Sequence, residues 1–136
     1  ASHSALTGRG VSVYVVGAGV RITHEEVIDR AWWDGIVPSG LGPPGFEVSD
    51  GGVVPCGGSL DCGGGAGAGG TFFASLAAGR TLGVAPAATV HSVVADPQSY
   101  WDMVRALLHV FSQVANSNTP AVVLVPHAFG LEAWGL

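Results

Sequence analysis

Five histidines and two cysteines hold most of the reactive nitrogen and sulfur in this 136-residue chain. A hydrolytic triad would need one histidine within hydrogen-bond reach of both a nucleophile and an orienting group. His3, His24, His91, His109 and His127 are scattered, and the candidate nucleophiles Ser75, Ser92 and Ser112 lie on segments that read as packed. His91 alternates within a strand and His109 sits on a long helix, so both are expected to be satisfied structural groups. His127 follows the carboxyl end of a strand, where sites form in open α/β sheets. Cys56 and Cys62 bracket the glycine-rich loop Cys-Gly-Gly-Ser-Leu-Asp-Cys. They could close a small disulfide, implying an oxidising compartment, or stay as thiols. A metal would want two further ligands, and that loop has no other Cys or His. Glu47, Asp50 and Asp61 lack the oxygen-ligand spacing of an EF-hand, so a solvated loop is expected there. Gly17-Ala18-Gly19 after an apolar run looks like the start of a dinucleotide-binding Gly-x-Gly-x-x-Gly, but the third position is Ile22.

The elements that would position these groups alternate between strand and helix. Val11–Val16 is a short apolar, β-branched and aromatic run, as expected of a strand buried on both faces. Ile22–Asp29 reads as a short helix or turn, with Thr23 as a cap, and Trp32 and Trp33 follow as packing residues. Residues 34–70 are dominated by Gly, Pro, Ser and Asp and read as a long loop, with a brief strand at Gly45–Ser49. Thr71–Gly79 is apolar all round, as in a buried helix. Thr89–Val94 is the next strand. Asp96-Pro97 supplies an N-cap and first-turn proline for a helix over Pro97–Asn116. Its Trp101, Val104, Leu107, Leu108, Phe111, Val114 and Ala115 fall at three- and four-residue steps, which predicts a core-facing side. Ala121–Val125 is a third strong strand. The pattern predicts one α/β domain over 1–136, with a lead-in at 1–10 and a mostly parallel sheet between helical layers.

Composition narrows the function. The chain is 48% apolar and only 11% charged, has 22 glycines and no lysine, and carries a net charge of -5. Ordinary domains carry roughly 25% charged residues, so small and apolar groups must lie on this surface, as in a chain packed against others or a fragment cut from a larger body. Five scattered arginines make no basic footprint for nucleic acid. No 18-residue apolar run is present, so no membrane span is expected.

The order of these segments resembles the amino-terminal half of a subtilisin-like serine protease domain, closest to the proteinase K branch. Val15-Val16-Gly17-Ala18-Gly19-Val20, continuing to Thr23-His24, corresponds to the family's strand with Asp-Thr-Gly at its end. Ala68-Gly69-Gly70-Thr71 corresponds to Gly-His-Gly-Thr at the start of a buried helix. Gly83-Val84-Ala85-Pro86 matches a Gly-Val-Ala-Pro run, and Val90–Val94 and Pro120-Ala121-Val122-Val123 fit the same template. The resemblance runs from Gly8 to Gly130 and implies a three-layer partial subtilisin fold. It places the strands in the order Gly45 region, Thr89–Val94, Val11–Val16, Ala121–Val125.

The departures carry the functional expectation. The resemblance puts Gly17 where the family has its catalytic aspartate and Gly69 where it has its catalytic histidine. Glycine can neither hold nor move a proton. The family's Ser-Leu-Gly-Gly stretch stands here as Pro126-His127-Ala128-Phe129, and the segments that would bring the oxyanion asparagine and nucleophilic serine are not seen before Leu136. His24 matches a structural position. The expectation is a catalytically inactive, pseudoprotease module without cofactor or metal, although relatives often bind calcium. It would serve in binding or as a structural component beside other protein chains. The sheet edge Ala121, Val122, Val123, Leu124 and Val125 would be open for interaction. An extracellular or secretory setting would suit both the resemblance and a Cys56–Cys62 disulfide. Two alternatives stand beside this: part of a subtilisin-like endopeptidase completed by another segment or chain, and a dinucleotide-binding unit.

Overall fold

The computed structural model describes residues 6–17, 19–36, 69–95 and 99–126. In chain order the elements are β1 (Ser12–Gly17), β2 (Ala31–Ile36), α1 (Gly69–Ala78), β3 (Thr89–Val94), α2 (Tyr100–Ser117) and β4 (Ala121–Leu124). The four strands form one sheet in the order β2-β3-β1-β4, and every pairing is parallel. An all-parallel sheet needs cover on both faces. The run Val13-Tyr14-Val15-Val16 supplies β1, which like β3 has partners on each side, and all four residues are buried.

Alternation along β1 divides the core in two. Val13 and Val15 pack with Val20, Ile22, Val27, Val90 and the small α1 residues Ala74 and Ala78. Tyr14 and Val16 pack on the opposite face with Val93, Ala95 and the α2 residues Met103, Ala106 and Val110. Each fully buried valine contributes about 1.5–3 kcal/mol of transfer free energy.

Four expectations are corrected. The helix expected to be buried all round, α1, is buried along Gly70, Ala74, Ser75 and Ala78, whereas Phe72 and Leu76 are exposed. The edge strand beyond β3 is Ala31–Ile36, formed by residues expected to be packing and loop; the Gly45–Ser49 strand lies outside the described residues. The Ala-Trp-Trp-Asp-Gly-Ile sequence ends in a turn-like Asp-Gly, which masks the strand tendency of its aromatics. The register shifts between Trp33 and Gly35, so Asp34 sits at a bulge. The second helix starts at Tyr100 rather than Pro97, because Ser99, with extended backbone, caps it by accepting the Asp102 amide; Asp96–Gln98 lie outside the described residues. Finally, the side of α2 that meets the sheet is Met103, Ala106 and Val110, whereas Trp101, Leu107, Leu108, Phe111 and Ala115 are exposed. Two apolar stripes run side by side on this helix, and the narrower one with smaller residues fits the sheet.

Ile22–Asp29 lies within a run of turns pinned by Glu26. Its carboxylate accepts the Thr81 hydroxyl and the Thr81 and Leu82 amides, while Arg30 donates to the Glu26 and Ala88 carbonyls. This ties the 22–30 segment to the chain after α1.

Candidate functional site

The corner indicated by sequence is formed by the carboxyl end of β1 and the amino end of α1. The Gly17 carbonyl accepts the Ala95 amide at 2.9 Å, which holds the strand end. The chain then turns: Val20 donates to the Ser92 hydroxyl at 3.0 Å, and Arg21 donates to the Thr71 hydroxyl at 2.8 Å. Gly70 is the point of closest approach, since a Cβ there would lie 2.3 Å from the Gly19 carbonyl oxygen. Only glycine lets the helix start pass so near that turn.

At this corner the two positions singled out, Gly17 and Gly69, have no side chain to offer. A Cβ at Gly17 would meet nothing within 4 Å, and one at Gly69 would meet only Phe73 Cε2 at 3.8 Å. Among the described residues, nothing closer than 3.8 Å would meet a Cβ at either position. At Gly17 the backbone itself is specialised, with φ +156°, a value residues with side chains rarely adopt. No helix opens after Gly17-Ala18-Gly19, because turns run from Ile22 to Arg30; the helix N-terminus that a dinucleotide pyrophosphate requires does not follow β1.

A second constellation, not anticipated from sequence, lies on the α2 face of the sheet. Asp34 at the β2 bulge accepts from two imidazoles: Oδ1 is 2.9 Å from His91 Nδ1 on β3, and Oδ2 is 3.3 Å from His109 Nε2 on α2. The Asp34 side chain is 13% exposed and each histidine 20%. Tyr14 of β1 stacks on His91 with ring centroids 4.5 Å apart. Burial works against ionisation of Asp34, but the hydrogen bonds from His109 and His91 and their positive potential outweigh it and hold the carboxyl below its ordinary range. Burial, aided by the Asp34 charge, pushes the Tyr14 phenol up.

Chemically this is an oriented pair of imidazoles on one carboxylate, the base half of a nucleophilic site. Among the described residues no serine, threonine or cysteine hydrogen-bonds either ring. Ser92 accepts from Val20 on the other side of the sheet, the Ser75 hydroxyl donates to the Thr71 carbonyl at 2.8 Å, and Ser112 is exposed on α2. His24 Nδ1 accepts the Glu26 amide at 3.3 Å, a local turn contact. No group of three or more His, Cys, Asp or Glu among the described residues is arranged to hold a metal. His3, Cys56, Cys62 and His127 lie outside the described residues. Asp34 was hidden because its strand read as loop; had 31–36 been read with period two, Asp34 would have fallen on the same face as His91.

Ala121–Leu124 forms β4, which pairs with β1 through Val13–Val122 and Tyr14–Val123. Among the described residues no strand lies on its outer side. Val122 is 55% and Val123 40% exposed, Ala121 and Leu124 are half-buried, and Val125 follows the strand. A groove of about 410 Å³ lined by Leu6, Thr7, Gly8, Arg9 and Val11 sits at the amino ends of the strands, away from both constellations.

No protein-family model matches the chain. Among curated proteins it is similar to the subtilase-type proteinase psp3 of Schizosaccharomyces pombe, with 31% identity over 91 residues. The match covers 67% of this chain and 16% of that proteinase, so the chain spans less than a fifth of its relative's length. No described helix is long and apolar enough to cross a membrane. Similarity over that span supports a subtilisin-like relationship for this α/β chain, in which positions 17 and 69 are both glycine.

Proposed function

We propose that this chain is a subtilisin-like module without serine-protease catalysis of its own, acting by binding or as a structural part of an assembly of protein chains outside the cytoplasm. The observation that carries this reading is the pair Gly17 and Gly69, which face open space where the resemblance expects an acid and a base. Loss of such groups from a subtilisin-type triad lowers turnover by ~10⁴–10⁶-fold, since the nucleophile is then neither deprotonated nor oriented. The exposed apolar residues on α2 and β4 support the binding half of the proposal.

The test is covalent labelling of the full native polypeptide with a fluorophosphonate that reacts with activated serines. No labelling above a heat-denatured control is expected. Specific labelling would overturn the reading in favour of an endopeptidase portion completed by another segment or chain.

A further inference from the structure

No hydroxyl or thiol among the described residues is bonded to the Asp34–His91–His109 cluster, so covalent chemistry there falls to an imidazole. Asp34 titrates low and, once ionised, has no proton to give, so each ring turns an N–H toward it. His91 thus carries its proton on Nδ1 and His109 on Nε2, which leaves the lone pairs on His91 Nε2 and His109 Nδ1. Neither of these atoms is hydrogen-bonded among the described residues, and neither is a buried atom lacking a partner, so both meet solvent.

The two rings are not equivalent. His91 makes the shorter bond, 2.9 Å against 3.3 Å. Its ring is also stacked on Tyr14, with centroids 4.5 Å apart and an interplanar angle of 16°. Two contacts therefore fix the plane of His91 and the direction of its Nε2 lone pair. A ring whose N–H is held by a carboxylate is more electron-rich at its other nitrogen. When that nitrogen attacks a carbonyl carbon, the ring becomes a cation, and the charge develops with Nδ1 already 2.9 Å from an Asp34 oxygen. His109 holds the other oxygen and so keeps the carboxylate turned toward both rings.

We propose that His91 is a nucleophilic imidazole that accepts acyl groups from small, uncharged activated esters, with Asp34 and His109 as the residues that position it. In the first step a bond forms between Nε2 and the acyl carbon, and the ester C–O bond breaks. The leaving oxygen departs as an anion and takes a proton from water. Water then adds to the acyl carbon, the C–N bond breaks and the carboxylic acid leaves. The proton released there balances the one taken up by the alcohol. The donor is uncharged because the ionised Asp34 and a net charge of -5 repel phosphoryl and other anionic groups. It is small because the His91 side chain is only 20% exposed. This chemistry uses no serine and is independent of the corner at Gly17 and Gly69.

The experiment treats the full chain with diethyl pyrocarbonate, which carbethoxylates imidazoles, and maps the modified residues by mass spectrometry. His91 is expected to react on the order of 10-fold faster than His24, whose Nδ1 accepts an amide within a turn. Asp34→Asn, verified as folded by circular dichroism, should remove that advantage. The chain should also hydrolyse p-nitrophenyl acetate with the transient ultraviolet signature of an acylimidazole, lost in His91→Ala and unchanged in His24→Ala. A wild-type His91 that reacts no faster than His24 overturns the proposal, and that result requires no variant to fold. An advantage that survives Asp34→Asn, or hydrolysis that persists in folded His91→Ala, overturns it too. Fluorophosphonate labelling reports separately on serine, so the two readings fail independently.

Discussion

Replacing Asp34 with alanine tests whether the two-histidine constellation is a structural clamp between β2, β3 and α2. The side chain accepts one bond at 2.9 Å and one at 3.3 Å from largely buried rings. A hydrogen bond to a charged group contributes about 1.5–3 kcal/mol. The longer bond belongs at the bottom of that range, and the rings, being one-fifth exposed, regain some solvation when released. The net expectation is a loss of about 2–3 kcal/mol. For a chain of this size that corresponds to a fall in Tm on the order of 10 °C. Asp34→Asn keeps the shape but only one acceptor oxygen, and should lose about half as much. Urea unfolding at pH 7, with His109→Ala alone and combined with Asp34→Ala, separates the β2–α2 bond from the rest. A loss for Asp34→Ala below about 0.5 kcal/mol, the worth of an exposed pair, would refute the clamp. So would strict additivity of the two substitutions.

Acid should expose the same groups. Asp34 titrates low because the histidine bonds outweigh its burial, and Glu26 titrates low chiefly through its bonds from the Thr81 hydroxyl and amide. As the pH falls the unfolded chain takes up protons before these folded carboxylates do. Their contribution is thus full above the ordinary carboxylate pKa of about 4 and is lost as the pH drops through their lower folded values. Asp34→Asn and Glu26→Gln should each flatten that acid limb, read as the denaturation midpoint between about pH 5 and pH 2. The glycine corner gives a paired test. Gly70→Ala should destabilise by about 1–3 kcal/mol, because its Cβ meets the Gly19 carbonyl oxygen at 2.3 Å. Gly69→Ala, with open space, should be neutral or stabilising by up to about 1 kcal/mol, and equal effects at the two sites would contradict the geometry.

The legible parts of this fold were those in which one residue type carries one message. Val13-Tyr14-Val15-Val16 and Thr89–Val94 are β-branched and aromatic runs, and both are buried strands in the expected adjacency. The mostly apolar segment after Gly69 is a helix whose small residues Ala74 and Ala78 pack in the core with β1, although its Phe72 and Leu76 are exposed rather than buried. Legibility failed where two messages overlapped. In Ala31–Ile36 the aromatic strand signal collides with an Asp-Gly turn signal, and pairing with β3 decides the outcome. On α2 both stripes are apolar, so periodicity identifies a helix but not the side that packs. Asp34 was obscured for a related reason: its partners His91 and His109 are 57 and 75 residues away, and no local pattern announces them.

The parallel order of the sheet has a consequence for how the chain is made. β1 has partners on both sides, yet it precedes both of them in the chain. Val13 pairs with Val90 and with Val122, so its second neighbour is 122 − 13 = 109 positions later. At synthesis rates of about 5–20 residues per second, β1 waits roughly 5–20 s for that partner. Until residue 90 has been made a Val-Tyr-Val-Val strand has neither edge satisfied, and from then until residue 122 it has only one. Completion of this sheet therefore waits for β4, and until then residues 12–15 keep one unpaired edge.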